Sequence, residues 1–394
     1  MFAIRRATQK LMRLMLLPFV MVALAACDPA SLGGIASSAG PRIDTSAPVP
    51  VALLVPRGGS ASDNLLASNL ENAARMAIRD LDGVAIDLRV YGTAGQASVA
   101  ANAARQAVAD GAKIILGPVY GEAANAAGVA VAADGVNVLS FSNNTTIAGG
   151  NVFVLGPTFN TTAQRLVSYA KRQNRDRIVV VHANDIGGQL GRSAIVSAIN
   201  SNGATLAGSV DYALSQEAVQ AAVPRVKAAV DAGNANAIFL TANSATALPL
   251  FADRLPTAGV SPASTQYIGL TRWDIPAQTL SLPGVQGGWF ALPDPGATTA
   301  FSARYSQAYG ERPLDIAGLA FDGIAAIGSL VKSGKSNALT AAALTQGAGF
   351  KGASGIFRLR SDGTNERGLA VATIRNNQVV LLEQAPQAFG GAGF

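Results

Sequence analysis

The chain has 394 residues, of which 49% are hydrophobic, 14% charged and 6% aromatic, and its formal net charge is +6. Residues 1–26 hold four basic and no acidic side chains, so removing those four charges leaves +2 for the remainder. Because that remainder has no run of Lys or Arg and few aromatic residues, composition excludes a nucleic-acid-binding surface, and we expect no nucleic-acid partner.

The first 27 residues have the layout of a secretion signal. A basic segment precedes the apolar residues 14–23, and the small residues Ala25 and Ala26 stand directly before Cys27, the only cysteine of the chain. This order resembles a bacterial lipoprotein signal peptide. The resemblance implies a signal peptide at 1–26, lipidation at Cys27 and a periplasmic protein anchored to the inner or the outer membrane.

The same segment has two alternative interpretations. A membrane-spanning helix needs about 20 apolar residues, whereas this run is shorter and contains Pro18. A lone cysteine can also be a buried core thiol. Lipidation accounts for both the cysteine and the apolar run, so we favour it, and no thiol then remains for a disulfide or a nucleophile.

The region after the cysteine is rich in Ala, Ser, Gly and Pro and has few large apolar residues. Such a composition cannot bury enough surface to order itself, which predicts a flexible tether at 27–48. The folded body that follows, about 335 residues, exceeds the usual size of a single core and predicts two lobes.

Short apolar runs alternate with Ala-rich amphipathic stretches from residue 49 onward. The first series predicts strands at 49–55, 85–91, 113–116 and 137–141, with helices at 63–81, 98–110 and 122–133. The second predicts helices at 162–173, 191–200, 216–232 and 245–255, with strands at 177–182, 205–211, 237–241, 266–270 and 285–291. Strands joined by single helices form right-handed crossovers on a parallel sheet. The fold class is therefore predicted to be α/β, with two doubly wound, Rossmann-like lobes.

The last third of the chain predicts helices followed by strands. Helices are expected near 298–310, 316–333 and 340–346, and antiparallel strands at 355–359 and 369–375. Asn376 and Asn377 are expected to form a turn before a final strand at 378–382.

Several segments recur in an order that is typical of one family. They are VALLVPRG at 51–58, IILGPV at 114–119, VNVLSFSNN at 136–144, DIGGQLG at 185–191, YGERP at 309–313, AFDG at 320–323, FKGASGIF at 350–357 and DG at 362–363. Together they resemble the type I periplasmic binding proteins, in the branch that binds leucine and other branched-chain amino acids.

The resemblance implies two lobes joined by a three-segment hinge, with a ligand cleft between them. It places the crossings near 155–158, 291–295 and 352–355. The first lobe would comprise 49–157 and 293–354, and the second 158–292 and 355–385. Closure of the lobes around a ligand would be a hinge motion.

The cleft is expected where loops leave the carboxyl ends of the parallel strands, because helix N-termini there favour anions. The polar or small residues of these loops are the candidate contacts for a small-molecule ligand. They are Arg57, Gly58, Ser60, Tyr120, Gly121, Ser142, Asn143 and Asn144 in the first lobe, and Asp185, Asn243, Ser244, Arg272, Trp273 and Asp274 in the second. The alternative role of such residues is to cap helices and close turns.

Two positions depart from the amino-acid binders of the family. Those proteins carry a serine where this chain has Tyr120, and a tyrosine where it has Ile186. Without these anchors a buried zwitterion would be poorly compensated. The segments GPVY at 117–120, YIGLTRWD at 267–274 and LPGVQGGW at 282–289 are similar instead to the lipoprotein activators of penicillin-binding proteins.

Catalysis has little support in the sequence. The only histidine, His182, follows three valines and is expected to be a structural imidazole that ends a buried strand. There is no Gly-x-Ser-x-Gly elbow, no phosphate-binding loop with its lysine and no Cys/His spacing for a metal. We therefore predict no catalytic residue, no metal and no cofactor.

Two non-enzymatic functions remain. The favoured one is a lipid-anchored activator that binds a penicillin-binding protein and regulates peptidoglycan synthesis. The alternative is the substrate-binding lipoprotein of an ABC transporter, which hands an amino acid or a related small solute to a permease. The lipid anchor and the missing amino-acid anchors favour the first.

Overall fold

The computed structural model describes residues 40–390. The predicted signal peptide, Cys27 and most of the predicted tether lie outside the described residues. Within 40–390, no helix combines the length and the apolar character needed to cross a membrane.

The described residues form fifteen strands and ten α-helices. The strands are β1 (Val49–Val55), β2 (Ile86–Gly92), β3 (Ile114–Leu116), β4 (Val138–Ser140), β5 (Val152–Val154), β6 (Arg177–Ala183), β7 (Thr205–Tyr212), β8 (Ala237–Leu240), β9 (Gln266–Gly269), β10 (Trp289–Pro293), β11 (Phe350–Gly352), β12 (Gly355–Leu359), β13 (Asn365–Arg367), β14 (Leu369–Arg375) and β15 (Gln378–Glu383). The helices are α1 (Ala61–Arg79), α2 (Ala97–Ala109), α3 (Gly121–Val131), α4 (Phe159–Arg172), α5 (Ile186–Ser201), α6 (Gln216–Ala232), α7 (Leu248–Thr257), α8 (Pro295–Tyr309), α9 (Ala317–Val331) and α10 (Ala341–Leu344).

The first lobe is built on five parallel strands in the order β2-β1-β3-β4-β5. Strand β1 is apolar throughout and six of its seven residues are buried, as expected where helices cover both faces of a parallel sheet. Helix α1 begins at Ser60, whose hydroxyl accepts a hydrogen bond from the Asp63 N–H in a capping box. Helices α8 and α9 return from late in the chain and pack against α1, which completes the core on that face.

The second lobe contains a seven-stranded sheet in the order β15-β14-β10-β9-β8-β6-β7. Strands β6 to β10 are parallel, and β14 and β15 extend the sheet as an antiparallel pair. Asn376 and Asn377 join that pair with φ values of 51° and 62°, the left-handed conformation that a two-residue hairpin turn requires. Helices α4 and α5 cover one face of the sheet, and α6 and α7 cover the other.

Three crossings join the lobes, and one differs from the prediction. The first lies between β5 and α4 and the second at Asp294, between β10 and α8. The segment at 352–355 instead forms the turn of the β11–β12 hairpin, and Phe357 packs in the core of the first lobe. The third crossing therefore follows β13, at Gly368. A Gly-rich segment suits a hairpin turn as well as a hinge, so the sequence could not separate the two.

A buried ion pair fastens the crossings together. Asp322 in α9 accepts a hydrogen bond of 2.6 Å from the Ala353 N–H and pairs with Arg367 at 2.8 Å. Arg367 also donates to the carbonyl of Leu155 in the first crossing, at 3.1 Å. Asp322 is fully buried and Arg367 is 6% exposed. The pair thus links the AFDG segment to the first and third crossings.

The carboxyl ends of both parallel sheets lie next to the hinge. Strand β5 leaves the first sheet at its carboxyl end to make the first crossing, and β10 leaves the second sheet at its carboxyl end to make the second. The loops that follow the parallel strands of each lobe therefore emerge toward the other lobe. This edge is where open α/β sheets bind their ligands.

Candidate ligand cleft

The loops after β1 and β3 meet through Tyr120 and Asp63. The Tyr120 hydroxyl donates a hydrogen bond to Oδ1 of Asp63, and the Ser60 hydroxyl donates to Oδ2 of the same carboxylate at 2.8 Å. The hydrogen bonds from Tyr120 and then from Ser60 hold the pKa of Asp63 below its usual value. The bond to Asp63, followed by burial, raises the pKa of Tyr120. The structure therefore brings Ser60 and Tyr120 together, through a carboxylate that the sequence did not single out.

Arg57, the cation predicted to serve the ligand, already has a partner. Its guanidinium lies 2.6 Å from Glu71 in α1, and Arg75 holds the other oxygen of Glu71 at 2.8 Å. Burial would raise the pKa of Glu71, but the hydrogen bonds and charges of the two arginines outweigh it and lower that pKa. The neighbouring Gly58 N–H donates to the Asn64 side chain at 2.9 Å. This loop is thus held by helix α1.

The residues after β4 surround the start of helix α3. A Cβ at Gly121 would lie 3.2 Å from the Asn144 amide nitrogen and 3.5 Å from the Ser142 hydroxyl. Ser142 is 7% exposed and accepts a hydrogen bond from the Asn144 N–H, while Asn143 is exposed beside them. Helix α3 has no side-chain cap at its N-cap residue, Tyr120. Its first N–H groups therefore keep the partial positive charge that attracts anions.

Two predicted residues of the second lobe have structural roles in their own loops. Asp185 caps helix α5 by accepting a hydrogen bond of 2.7 Å from the Gly188 N–H. The side-chain amide oxygen (Oδ1) of Asn243 accepts from the Ala245 N–H at 3.0 Å. These contacts match the alternative role as caps and turn-closing groups.

The loops after β8 and β9 are joined by side chains that were predicted to contact a ligand. The Ser244 hydroxyl donates to the Ile275 carbonyl at 2.6 Å. Arg272 makes two hydrogen bonds to Asp274, one of 2.9 Å. The positive charge of Arg272 is thereby neutralised within its own loop, so it resembles Arg57 in already having a carboxylate partner.

The prediction that Trp273 lines the cleft was wrong. Its side chain is fully buried in the core of the second lobe. The indole fills the space above Gly269 and Gly288, and a Cβ at either glycine would clash with it. Its Nε1 has no hydrogen-bond partner among the described residues. Trp273 stands between two charged residues, so the sequence indicated an exposed loop position. The two glycines that make room for its indole give no signal in the local sequence.

Large apolar side chains are exposed at the carboxyl edges of the sheets. Ile186 is 82% exposed at the first position of α5, and Leu190 lies one turn further along this helix. Ile275 is exposed in the loop after β9, and Tyr120 is 42% exposed on the first lobe. The carboxyl edges of the two sheets thus combine a helix N-terminus that has no side-chain cap, with Glu122 in its first turn, and exposed apolar surface. Such a site suits a molecule that has one anionic end and an apolar body.

The single histidine is structural, as predicted. His182 lies in β6 with 5% of its surface exposed, and its Nδ1 is 3.0 Å from the Ala183 carbonyl oxygen. Over residues 40–390 there is no group of three or more acidic, histidine or cysteine side chains that could hold a metal.

Comparison with known proteins identifies the family. A family model described as periplasmic binding protein matches residues 48–378. No curated protein matches the sequence.

Three solved structures illustrate the likeness in fold. A putative branched-chain amino acid ABC transporter protein from Rhodospirillum rubrum has a TM-score of 0.71 and 16% identity, covering 85% of this chain and 100% of that one. An ABC transporter substrate-binding protein from Desulfitobacterium hafniense in complex with Leu has a TM-score of 0.61 and 18% identity, covering 85% and 100%. A solute-binding protein of an ABC transporter from Rhodopseudomonas palustris BisB5, in complex with 3,4-dihydroxy benzoic acid, has a TM-score of 0.56 and 16% identity, covering 86% and 98%.

At these identities the structural likeness shows the fold, and it confirms the predicted two-lobed α/β class. The family match covers most of the chain, so this chain belongs to the periplasmic binding protein family.

Proposed function

We propose that this protein is the substrate-binding component of an ABC transporter and that it binds a small organic acid in the cleft. The family and the transporter proteins of similar fold support the solute-binding role. They also imply a periplasmic location, and the lipoprotein-like signal adds an anchor at Cys27. A permease is then the partner that receives the solute.

The observation that carries the proposal is the uncapped N-terminus of α3 at the carboxyl edge of the first sheet, together with exposed apolar side chains at the carboxyl edge of the second. The first turn of α3 offers N–H groups to a carboxylate. At the carboxyl edge of the second lobe, Ile186 and Ile275 offer apolar surface, which cannot hold the ammonium of an amino acid. The relative that binds 3,4-dihydroxy benzoic acid demonstrates that this fold accepts an acid without an ammonium group.

The activator function that the sequence favoured has less support. The structures compared above are substrate-binding proteins of transporters, and none of the three is an activator of a penicillin-binding protein. Regulation of peptidoglycan synthesis therefore rests on the sequence resemblance alone, and the comparisons favour the transport role.

A thermal-shift screen of the purified chain tests the proposal. The panel contains aromatic and branched aliphatic monocarboxylates, the matching amino acids and the matching amides. A ligand at 100 times its Kd adds about 2.7 kcal/mol to the free energy of unfolding. We expect a saturable shift with a carboxylate and a smaller one with its amide or its amino-acid counterpart.

A matched pair of variants locates the binding. Ile186→Glu places a negative charge at the cleft edge. Leu206→Glu places the same charge at the amino end of β7, on another exposed aliphatic side chain of the same lobe. We expect weaker acid binding in the first variant and unchanged binding in the second. A shift with free amino acids alone would refute the organic-acid specificity, and no shift with any solute would refute the receptor function. Crosslinking to a transpeptidase in cells would then support the activator function.

A further inference from the structure

A second cavity, which we term the joint cavity, lies between the two lobes but outside the cleft. Its volume is about 360 Å³, and it is walled by α4 and α5 of the second lobe and by the β12–β13 hairpin of the first. None of the candidate cleft residues lines it. Its volume is within the range of small-molecule sites.

The walls of the joint cavity belong to different lobes. On one side, the β12–β13 turn is fixed to the first lobe, because the Val154 N–H donates to the Gly363 carbonyl at 2.9 Å. On the other side, Thr161 of α4 reaches across and donates to the Asn365 carbonyl at 3.2 Å. A rotation at the hinge that alters the cleft must therefore also alter the width of this cavity.

The cationic side chains of the cavity lining are paired with carboxylates. Arg360 pairs with Glu366 at 3.1 Å, and Asp362 accepts a hydrogen bond of 2.9 Å from the Thr364 N–H. The two buried arginines of the lining are paired with carboxylates outside it. An anionic ligand would meet no unpaired cation in this lining, and the carboxylate of Asp362, which accepts hydrogen bonds from Thr364 but has no ion-pair partner within 40–390, would repel it. A neutral ligand can instead donate its hydroxyl groups to that carboxylate.

The remaining polar groups are amides and hydroxyls. Gln164 and Ser201 bond each other at 3.0 Å across α4 and α5. Asn160 and Ser197 line the same space. Asn365 donates its amide N–H groups to the Val154 and Gly156 carbonyls, which leaves its side-chain oxygen without a described partner. Groups that both donate and accept match the hydroxyls of a polyol.

We propose that the joint cavity binds a neutral polyhydroxyl compound of monosaccharide size and that this binding is coupled to the angle between the lobes. Such a ligand bridges α4 and α5 to the β12–β13 hairpin and stabilises the angle at which both walls reach it. A solute in the cleft also stabilises a particular angle between the lobes. The two sites therefore influence each other's affinity, and to the same extent in both directions.

Isothermal titration calorimetry of the full chain with glucose and myo-inositol tests the binding. Ser197→Tyr fills the cavity, and Ser193→Tyr, one turn earlier on the same exposed helix face, is the matched control. We expect saturable binding to the wild type and to the control, and a Kd at least tenfold weaker in Ser197→Tyr. Absence of saturable heat, or an equal Kd in all three proteins, would overturn the proposal.

Small-angle X-ray scattering tests the coupling to lobe angle. Saturation with the polyol should change the radius of gyration of the wild type and of the Ser193→Tyr control, and leave that of Ser197→Tyr unchanged. An unchanged radius in the wild type would refute the coupling. The cleft variant Ile186→Glu should keep the polyol Kd, so the proposed cleft function can fail without affecting this result; loss of polyol binding in that variant would place the polyol in the cleft and contradict the joint cavity.

Discussion

The buried pair of Asp322 and Arg367 gives the sharpest prediction about the hinge. Asp322→Ala removes the partner of a guanidinium whose side chain is only 5% exposed. Loss of one member of a buried pair typically costs about 3–5 kcal/mol, because the other charge stays buried without compensation. Arg367 keeps its bond to the Leu155 carbonyl, whereas the Ala353 N–H loses its acceptor. We therefore expect Asp322→Ala to lower the free energy of unfolding by about 3–5 kcal/mol.

A double-mutant cycle separates this charge effect from simple loss of packing. Arg367→Met alone leaves a buried carboxylate, and the double variant Asp322→Ala/Arg367→Met leaves no buried charge. Residues in direct contact show coupling energies of about 0.5–3 kcal/mol, and we expect a value at the upper end of that range. Urea unfolding followed by far-ultraviolet circular dichroism measures all four proteins and reports on both lobes.

The exposed pair of Arg225 and Asp211 is the control for that cycle. Its atoms are 3.2 Å apart, but both side chains are about half exposed. Solvent screening limits such a pair to about 0–1 kcal/mol, so Asp211→Ala should change stability little. If the two single hinge variants added without coupling, or if Asp322→Ala cost no more than Asp211→Ala, the assignment of Asp322 and Arg367 as the hinge fastening would be refuted.

Three further predictions concern single side chains. Trp273→Ala should lower the free energy of unfolding by about 3–5 kcal/mol, as for other buried aromatic residues; a loss below 1 kcal/mol in urea would contradict its position in the core. Tyr120→Phe removes the hydrogen bond that contributes most to the low pKa of Asp63, so NMR titration should find that pKa raised toward its usual value, and an unchanged pKa would exclude the contact. Burial would raise the pKa of Glu383, but its two arginine partners outweigh burial and lower it. The stability it contributes is therefore present above its unfolded pKa, near 4.5, and is lost as the pH falls through the lower folded value; in thermal melts from pH 7 to pH 3, Glu383→Gln should lose less stability than the wild type, and equal losses would refute the linkage.

The predicted bounds of an element agree with the structure where the stretch with a regular apolar pattern is long. Strand β1 and helix α6 match their predicted bounds, because each is a continuous apolar run or a regular amphipathic stretch. Strands β5, β11 and β13 were not predicted, although β3 and β4, which are equally short, were.

The start of helix α5 shows how a tertiary contact overrides a local signal. Two glycines at 187–188 indicated a loop, and the helix was predicted to begin at residue 191. It begins at Ile186, because Asp185 caps it and Gly188 packs against the backbone of Ala183, where any Cβ would clash. Gly188 allows the helix backbone to approach the backbone of Ala183 closely. The sequence alone cannot distinguish a glycine with this packing role from one in a flexible loop.

In the candidate site, too, the sequence predicted the location of residues but not their tertiary partners. Alternation of strands and helices placed Ser60, Tyr120 and Ser142 at the carboxyl edge, and the structure brings them to neighbouring loops. The sequence did not predict which carboxylates pair with Arg57 and Arg272. Tyr120 and Asp63 are 57 residues apart, and no local pattern links them.

By itself the sequence determined the α/β class and the two lobes, because hydrophobic periodicity and strand–helix alternation are local properties. The expected positions of the crossings came from the family resemblance. Only the tertiary structure decided that Arg57 and Arg272 are neutralised, that Trp273 is core and that the third crossing follows β13. Those outcomes depend on which side chains and strands meet in space, and burial and pairing of that kind leave no periodic trace along the chain.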